Sequence, residues 1–174
     1  KDVKPDLVLV HGDTTTTFAT SLACFYLGVK VGHVEAGLRT NDIYAPFPEE
    51  YNRQSTGILT NYHFAPTDLS QQNLLKEGKN KEDVIVTGNT VIDALHLVLN
   101  SFEEDKNKSK HTDIRLNKSL KFDWKNNRFV LVTGHRRENF GEGFLEICEA
   151  IKVLATRHKD THFIYPVHLN PNVQ

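Results

Sequence analysis

Three acidic residues of this chain stand where apolar or proline-containing segments end, which suits them to proton transfer. Asp13 follows the apolar run 7–10, and Glu35 follows a second apolar run at 29–34. Glu49 comes directly after a proline, a residue that favours the first turn of a helix. A carboxylate at the end of a buried strand is partly desolvated, and such a group is suited to general acid or base work. We therefore take Asp13, Glu35 and Glu49 as candidate acid and base groups.

Each of these acids also has a structural explanation that the sequence leaves open. Asp13 stands before a predicted helix and can cap its free backbone amides. Glu35 can pair with Arg39, and Glu49 can pair with Arg53 one helical turn later. The spacing of the residues does not choose between these structural roles and a catalytic one.

A basic motif occurs farther along the chain, in the run His135-Arg136-Arg137-Glu138-Asn139. It follows an apolar run, so it stands at the carboxyl end of a predicted strand. Two arginines there suit a phosphate, because a guanidinium binds oxyanions through two parallel hydrogen bonds. A neighbouring histidine can donate to the same phosphate or act as an acid. The alternative is a solvated basic loop without a ligand.

The elements that position these residues alternate between strand and helix. Apolar runs predict strands at 7–10, 29–34, 62–65, 84–87, 129–132 and 161–167. Helical spacing predicts helices at 14–26, 48–59, 68–77, 89–99 and 141–155. The third of them is predicted to be capped by Pro66-Thr67-Asp68, with Gln71 placed for a capping box. The strand–helix–strand order implies parallel strands. In such open sheets ligands bind at the carboxyl ends of the strands, where the candidate residues stand.

This alternation predicts an α/β fold with two Rossmann-like domains, each with a parallel sheet and each incomplete. Residues 1–88 are predicted to be part of the N-terminal domain, and residues 89–174 a linker helix and the first part of the C-terminal domain. Within the latter, residues 100–128 are rich in charged and amide side chains and indicate a polar excursion that can contain a short helix. The chain has no methionine and ends just after a strand-like run, so we expect an internal segment of a longer protein.

Composition argues against several kinds of partner. The chain has 174 residues, 39% hydrophobic and 25% charged, with a formal net charge of −1, as in soluble globular proteins. This balance gives no support for a nucleic acid or a membrane surface, and no apolar run approaches the roughly 20 residues that span a bilayer. Cys24 and Cys148 are predicted to be core thiols in a reducing compartment, which makes the cytoplasm the expected location. His33 and His63 are predicted core residues, and the histidines lack the paired spacing of a zinc site.

Six motifs follow one another along the chain in a recognisable order. They are His11-Gly12-Asp13-Thr14, His33-Val34-Glu35-Ala36-Gly37-Leu38-Arg39, Pro48-Glu49-Glu50 with Asn52-Arg53, Thr87-Gly88-Asn89-Thr90, Thr133 to Asn139, and Tyr165-Pro166-Val167-His168. Together they closely resemble the bacterial non-hydrolysing UDP-N-acetylglucosamine 2-epimerases. The resemblance covers nearly all of the chain except 100–128.

The resemblance implies a glycosyltransferase-B-like architecture, in which two Rossmann-like domains face each other across a cleft, and a homodimer. It implies the reversible conversion of UDP-GlcNAc to UDP-ManNAc, which supplies ManNAc-type sugars for cell-surface polysaccharide. The family eliminates UDP to give 2-acetamidoglucal and adds it back with the configuration at C2 inverted, without an added cofactor or metal. The segment alone is expected to be inactive, because much of the family's nucleotide site lies outside it.

The resemblance also assigns roles to individual residues. The implied catalytic residues are Asp13, Glu35, Glu49 and His135. The implied substrate-binding residues are Arg39, Arg136, Arg137 and Asn139. Arg136 and His168 match positions that line a second, allosteric UDP-GlcNAc site in some members. Two other functions stay open at this point, a UDP-sugar glycosyltransferase of the same fold and a nucleotide-sugar binding module without catalysis.

Overall fold

Strands and helices alternate along the chain, and a computed structural model describes residues 3–134 and 142–167. The chain divides into two units, Lys1–Val98 and Leu99–Gln174. This division falls inside a helix that continues from one unit into the next, whereas the sequence placed a domain boundary just before that helix. The domain boundary at residue 88 stays a prediction.

The first unit contains a four-stranded sheet in the order β1-β2-β3-β4, with neighbouring strands parallel. The strands are β1 (Leu7–His11), β2 (Lys30–Val34), β3 (Tyr62–Ala65) and β4 (Val84–Val86). The helices between them are α1 (Thr15–Leu27), α2 (Glu49–Leu59) and α3 (Asp68–Lys76), and a 3₁₀ turn at Lys81–Asp83 precedes β4. The sheet is therefore the parallel one that the strand–helix order predicted.

Local signals explain where the first helices begin and end. The side chain of Thr14 accepts from the amide of Thr17 at the start of α1, and Gly28 ends that helix in the left-handed region at φ 67°. Asp13 is therefore not the cap, which corrects one of the structural explanations considered above. At α3 the predicted capping box is also wrong. Thr67, which belongs to the predicted cap, is the cap, but the Gln71 side chain donates to the carbonyl of Val84 at 3.2 Å.

Two small apolar clusters form the core of the first unit. One consists of Val10, Cys24 and Val31, where α1 packs on the first two strands. The other consists of Ala36, Ala65, Leu74 and Val84, where α3 packs on the last two strands. Cys24 is buried as predicted, whereas Cys148 is exposed, so the prediction of a core thiol there is wrong.

The second unit contains two parallel strands, β5 (Arg128–Leu131) and β6 (Thr161–Ile164). Its helices include α5 (Lys106–Ser119) and α6 (Glu142–Arg157), and α4 (Thr90–Glu104) enters it from the first unit. The predicted polar excursion is thus mostly helical, since α5 alone has 14 residues, none of them buried. Asp105 caps α5 by accepting from the amides of Asn107 and Lys108.

Two absences concern the described residues only. Within residues 3–134 and 142–167, no helix is both long and apolar enough to cross a membrane. In the same part of the chain, no group of three or more His, Cys, Asp or Glu side chains is placed to hold a metal ion.

Candidate active site

Asp13 and Glu35 stand at the same edge of the sheet because β1 and β2 are adjacent, parallel and end together. The register pairs His11 of β1 with Val34 of β2. Glu35 follows Val34 directly, and Asp13 stands two residues after His11. The amide of Gly12 donates to the carbonyl of Val34 at 3.0 Å, which fixes the turn that carries Asp13 against the end of β2. The carboxyl edge of the sheet therefore brings two of the predicted acids together.

Glu35 has an unusual backbone and an unpaired carboxylate. Its φ of 69° lies in the left-handed region, which is rare for a residue with a Cβ and clusters at functional sites. Its Oε2 lies 3.2 Å from the point where a Cβ on Gly12 would stand, so the carboxylate lies against the turn after β1. The side chain is half-buried, and it forms no hydrogen bond or ion pair with any of the described residues.

The predicted ion pair between Glu35 and Arg39 is wrong, because Arg39 pairs with Glu77 instead. Nε and an Nη of Arg39 donate to the two carboxylate oxygens of Glu77 at 2.6 and 2.9 Å. Only 2% of the Arg39 side chain is exposed. The substrate-binding role of Arg39 stays a prediction, and in this structure its guanidinium is paired with the residue that follows α3.

Helix α2 brings the third acid toward the first. The side-chain amide of Asn52 donates to the backbone carbonyl of Asp13 at 2.9 Å, and Arg53 forms a short ion pair with the Asp13 carboxylate. Glu49 stands three and four residues before these two, so it lies on the same face of the helix. The predicted pair between Glu49 and Arg53 is wrong, since Arg53 turns to Asp13 and Glu50. Glu49 is half-buried and has no polar partner among the described residues.

Glu50 is a site residue to which the sequence assigned no role of its own. It is fully buried, and it accepts hydrogen bonds from the backbone amide of Asn41 at 3.2 Å and the side chain of Gln54 at 2.8 Å. An Nη of Arg53 lies 3.3 Å from its other oxygen. Burial by itself raises the pKa of Glu50, but these hydrogen bonds and the arginine outweigh it and lower the pKa. Glu50 is therefore held as a carboxylate.

His33 supports the turn after β1 from inside the fold. It is 1% exposed, and its Nε2 lies 2.7 Å from the carbonyl oxygen of Gly12. Burial lowers the pKa of His33, and the hydrogen bond to Gly12 offsets this only partly. The ring is therefore neutral near pH 7 and donates its Nε2–H to that carbonyl. The prediction that His33 and His63 are core residues is confirmed, since both are 1% exposed.

The remaining predicted site residues lie outside the described residues. These are His135, Arg136, Arg137 and Asn139, which stand between β5 and α6, and His168, which follows β6. Their roles stay predictions.

Comparison with known proteins places the chain among relatives of one kind. The family model described as UDP-N-acetylglucosamine 2-epimerase matches residues 1–174. The chain belongs to this family. The resemblance drawn from the six motifs is thereby confirmed.

Individual members of the epimerase family agree with this assignment. The UDP-N-acetylglucosamine 2-epimerase of Campylobacter jejuni is 56% identical over 176 residues, which cover 99% of this chain and 45% of that protein. The enzyme of Escherichia coli K12 is 55% identical over 174 residues, with the same shares covered. The crystal structure of UDP-GlcNAc 2-epimerase from Neisseria meningitidis bound to UDP-GlcNAc has a TM-score of 0.88 at 50% identity, over 97% of this chain and 44% of that one. The chain thus spans less than half the length of the relatives that it matches.

Proposed function

We propose that the complete protein to which this segment belongs interconverts UDP-GlcNAc and UDP-ManNAc by inverting carbon C2. The observation that carries this proposal is the convergence of carboxylates at one edge of the sheet. Asp13 and Glu35 follow adjacent strand ends, and α2 brings the face that carries Glu49 to Asp13. Inversion of a carbon centre by proton removal and return needs acid or base groups on two sides of the sugar. A cluster of carboxylates from different elements can supply them.

The reaction follows from the position of the carbon to be inverted. C2 is not next to a carbonyl, so direct proton removal there is difficult. In the proposed sequence a carboxylate takes the C2 proton as the bond between C1 and the UDP oxygen breaks, which leaves 2-acetamidoglucal and UDP. UDP then adds back to C1 while a proton is delivered to the opposite side of C2. No cofactor or metal enters these steps.

The contacts of the acids support a division of labour between them. Glu35 and Glu49 have no polar partners among the described residues, so either can accept and return a proton without first breaking an ion pair. The Asp13 carboxylate is held by Arg53, which suits it to fixing substrate or stabilising charge. We propose that Glu35 and Glu49 carry out proton transfer and that Asp13 assists from a fixed position.

Departure of UDP requires groups that bind a developing pyrophosphate anion. We propose that His135, Arg136, Arg137 and Asn139 bind UDP, since cationic donors at a strand end suit a phosphate. Arg39 is proposed to bind substrate only if it leaves Glu77. Arg136 and His168 are proposed to contribute to an allosteric UDP-GlcNAc site.

The complete protein is further proposed to be a cytoplasmic homodimer that supplies ManNAc-type sugars for cell-surface polysaccharide. Its architecture is proposed to be glycosyltransferase-B-like, with residues 1–88 in one Rossmann-like domain and residues 89–174 leading into the other. Both sheets of the segment then gain strands from the rest of the protein.

The decisive experiment incubates the complete protein with UDP-GlcNAc in deuterated water. The expected result is deuterium at C2 of both UDP-GlcNAc and UDP-ManNAc. The enzyme acid that returns a proton to C2 exchanges with the solvent, so in deuterated water it delivers deuterium. Sugar transfer to an acceptor without deuterium at C2 would instead indicate a glycosyltransferase. Binding of UDP without any turnover would indicate a binding module.

A further inference from the structure

We propose that Glu50 is a positioning residue that acts on Asp13 through Arg53. The proposal rests on the function proposed for Asp13 above and adds the means by which that side chain is held. Glu50 itself is fully buried, so it acts without touching the substrate.

The first group in this series of contacts is the buried carboxylate of Glu50. Glu50 is in the first turn of α2, and its carboxylate has three contacts, one from the loop after β2 and two from α2 itself. The backbone amide of Asn41 and the side chain of Gln54 donate to Oε1, and an Nη of Arg53 lies 3.3 Å from Oε2. A carboxylate held in this way has little freedom to rotate.

The second part is an arginine shared between two carboxylates. One Nη of Arg53 faces Glu50, and the other donates to Asp13. Only 12% of the Arg53 side chain is exposed, and its buried Nε has no hydrogen-bond partner. A long arginine side chain has many rotamers, and Glu50 favours the one that reaches Asp13. Oε2 of Glu50 makes no hydrogen bond either, so the contact between Arg53 and Glu50 is an ion pair.

The third part is Asp13, which α2 holds at two points. Its carboxylate meets Arg53, and its backbone carbonyl accepts from Asn52. A quarter of the Asp13 side chain is exposed, so the carboxylate is held on one side and open on the other. This is the arrangement expected of a group that must meet a ligand in one orientation.

Stability alone is a poor explanation for this arrangement. Burying an ion pair costs desolvation that often cancels its attraction, and apolar residues of similar size commonly serve a core as well. Glu50 and Arg53 instead form a series of contacts that ends at the part-exposed carboxylate of Asp13. Misplacing a reacting group by about 1 Å can lower the rate about 100-fold. Contacts that hold the Asp13 carboxylate in place therefore favour a faster reaction.

The test is a double-mutant cycle in the complete protein, with kcat and KM measured for Glu50→Gln, Asp13→Asn and the double variant. We expect Glu50→Gln to lower kcat about 10- to 100-fold with little change in KM. In the Asp13→Asn background the same change should lower kcat by less than about threefold, because its target has gone. Effects that multiply in the double variant would overturn the proposal, and so would a wild-type kcat in Glu50→Gln.

The controls separate this proposal from the function on which it rests and from simple misfolding. Absence of epimerisation by the wild-type protein would overturn the proposed function. If the wild type is active but the effects of the two substitutions on kcat multiply in the double variant, only the positioning role is overturned. If Glu50→Gln does not fold, Arg53→Lys takes its place in the cycle, because a single ammonium cannot hold both carboxylates in place. Arg53→Lys should then lower kcat in the wild type and have much less effect in the Asp13→Asn background. Ser21→Ala removes a fully buried side-chain hydrogen bond on α1, and it should leave kcat unchanged.

Discussion

The carboxylate of Glu35 lies against Gly12, with Oε2 3.2 Å from the point where a Cβ at position 12 would stand. Both residues have left-handed backbones, with φ of 69° and 68°. The absence of a side chain at Gly12 leaves the space that the carboxylate occupies. Because Asp13 comes next in the chain, this contact puts two acids at the end of the same pair of strands.

Glu35→Gln tests the catalytic role of that carboxylate. We expect turnover of the complete protein to fall by about two orders of magnitude or more, the usual scale for a general acid or base. Folding should be intact, since Glu35 has no ion pair to lose among the described residues. Steady-state kinetics and thermal unfolding measure the two effects. Near wild-type turnover would assign Glu35 a structural role only.

Gly12→Ala tests the space that Glu35 occupies. Alanine at position 12 must adopt a left-handed φ, which costs about 1–2 kcal/mol, and its Cβ crowds the Glu35 carboxylate. We expect both a lower free energy of unfolding and a lower kcat. The matched control is Gly28→Ala, where φ is +67° and no atom lies within 4 Å of the new Cβ. That variant should lose similar stability with normal kcat, and equal kcat in both variants would contradict the prediction.

Gly37→Ala tests the close approach of α3 to the loop after β2. A Cβ at Gly37 would lie 2.2 Å from the backbone carbonyl oxygen of Ser70, which cannot move as a side chain can. The strain of a left-handed alanine and the overpacking together predict a loss of about 3 kcal/mol or more in the free energy of unfolding. Denaturant titration measures it against Gly28→Ala. A loss no greater than in Gly28→Ala would contradict the contact.

His63 makes stability depend on pH. Burial, with the charge of Lys79 adding to it, lowers the pKa of His63 from 6.5 to about 4. The unfolded chain therefore binds a proton that the folded chain does not, and stability is lost as pH falls from about 6.5 to about 4. His33 is shifted in the same direction.

His63→Gln removes that titration. Between pH 7 and pH 4, we expect the free energy of unfolding of the variant to fall by about 3 kcal/mol less than that of the wild type. This difference corresponds to about 1.4 kcal/mol for each unit of pKa shift. Chemical denaturation at several pH values measures the difference. Parallel curves for the two proteins would show that His63 is not the group responsible.

His135→Ala tests the nucleotide role of the basic motif. We expect the affinity of the complete protein for UDP to fall about tenfold or more, the scale for loss of a hydrogen bond to a charged group. Isothermal titration calorimetry measures it. His158→Ala, which removes an exposed histidine after α6, should bind UDP as the wild type does. Unchanged affinity in His135→Ala would count against its contact with UDP.

Much of the fold could be predicted because strands and helices depend on local patterns. The apolar runs at 7–10 and 62–65 correspond to β1 and β3, and the helix predicted at 48–59 corresponds to α2 within one residue. Helix α5 was expected only as a short helix within a polar excursion, since its composition carries no apolar stripe and only the cap at Asp105 marks its start. Charged surface helices lack the periodicity on which such prediction depends.

The sequence by itself determined which acids reach the carboxyl edge of the sheet, because β1 and β2 end just before Asp13 and Glu35. It also carried the six motifs that identify the family. Only the tertiary structure decided the partners. Arg39 pairs with Glu77, 38 residues away, and Arg53 pairs with Asp13, 40 residues away. Both pairs replace neighbours that helical or loop spacing had favoured. The physical reason is that spacing shows which side chains can meet within one element, whereas ion pairs form where separate elements pack together.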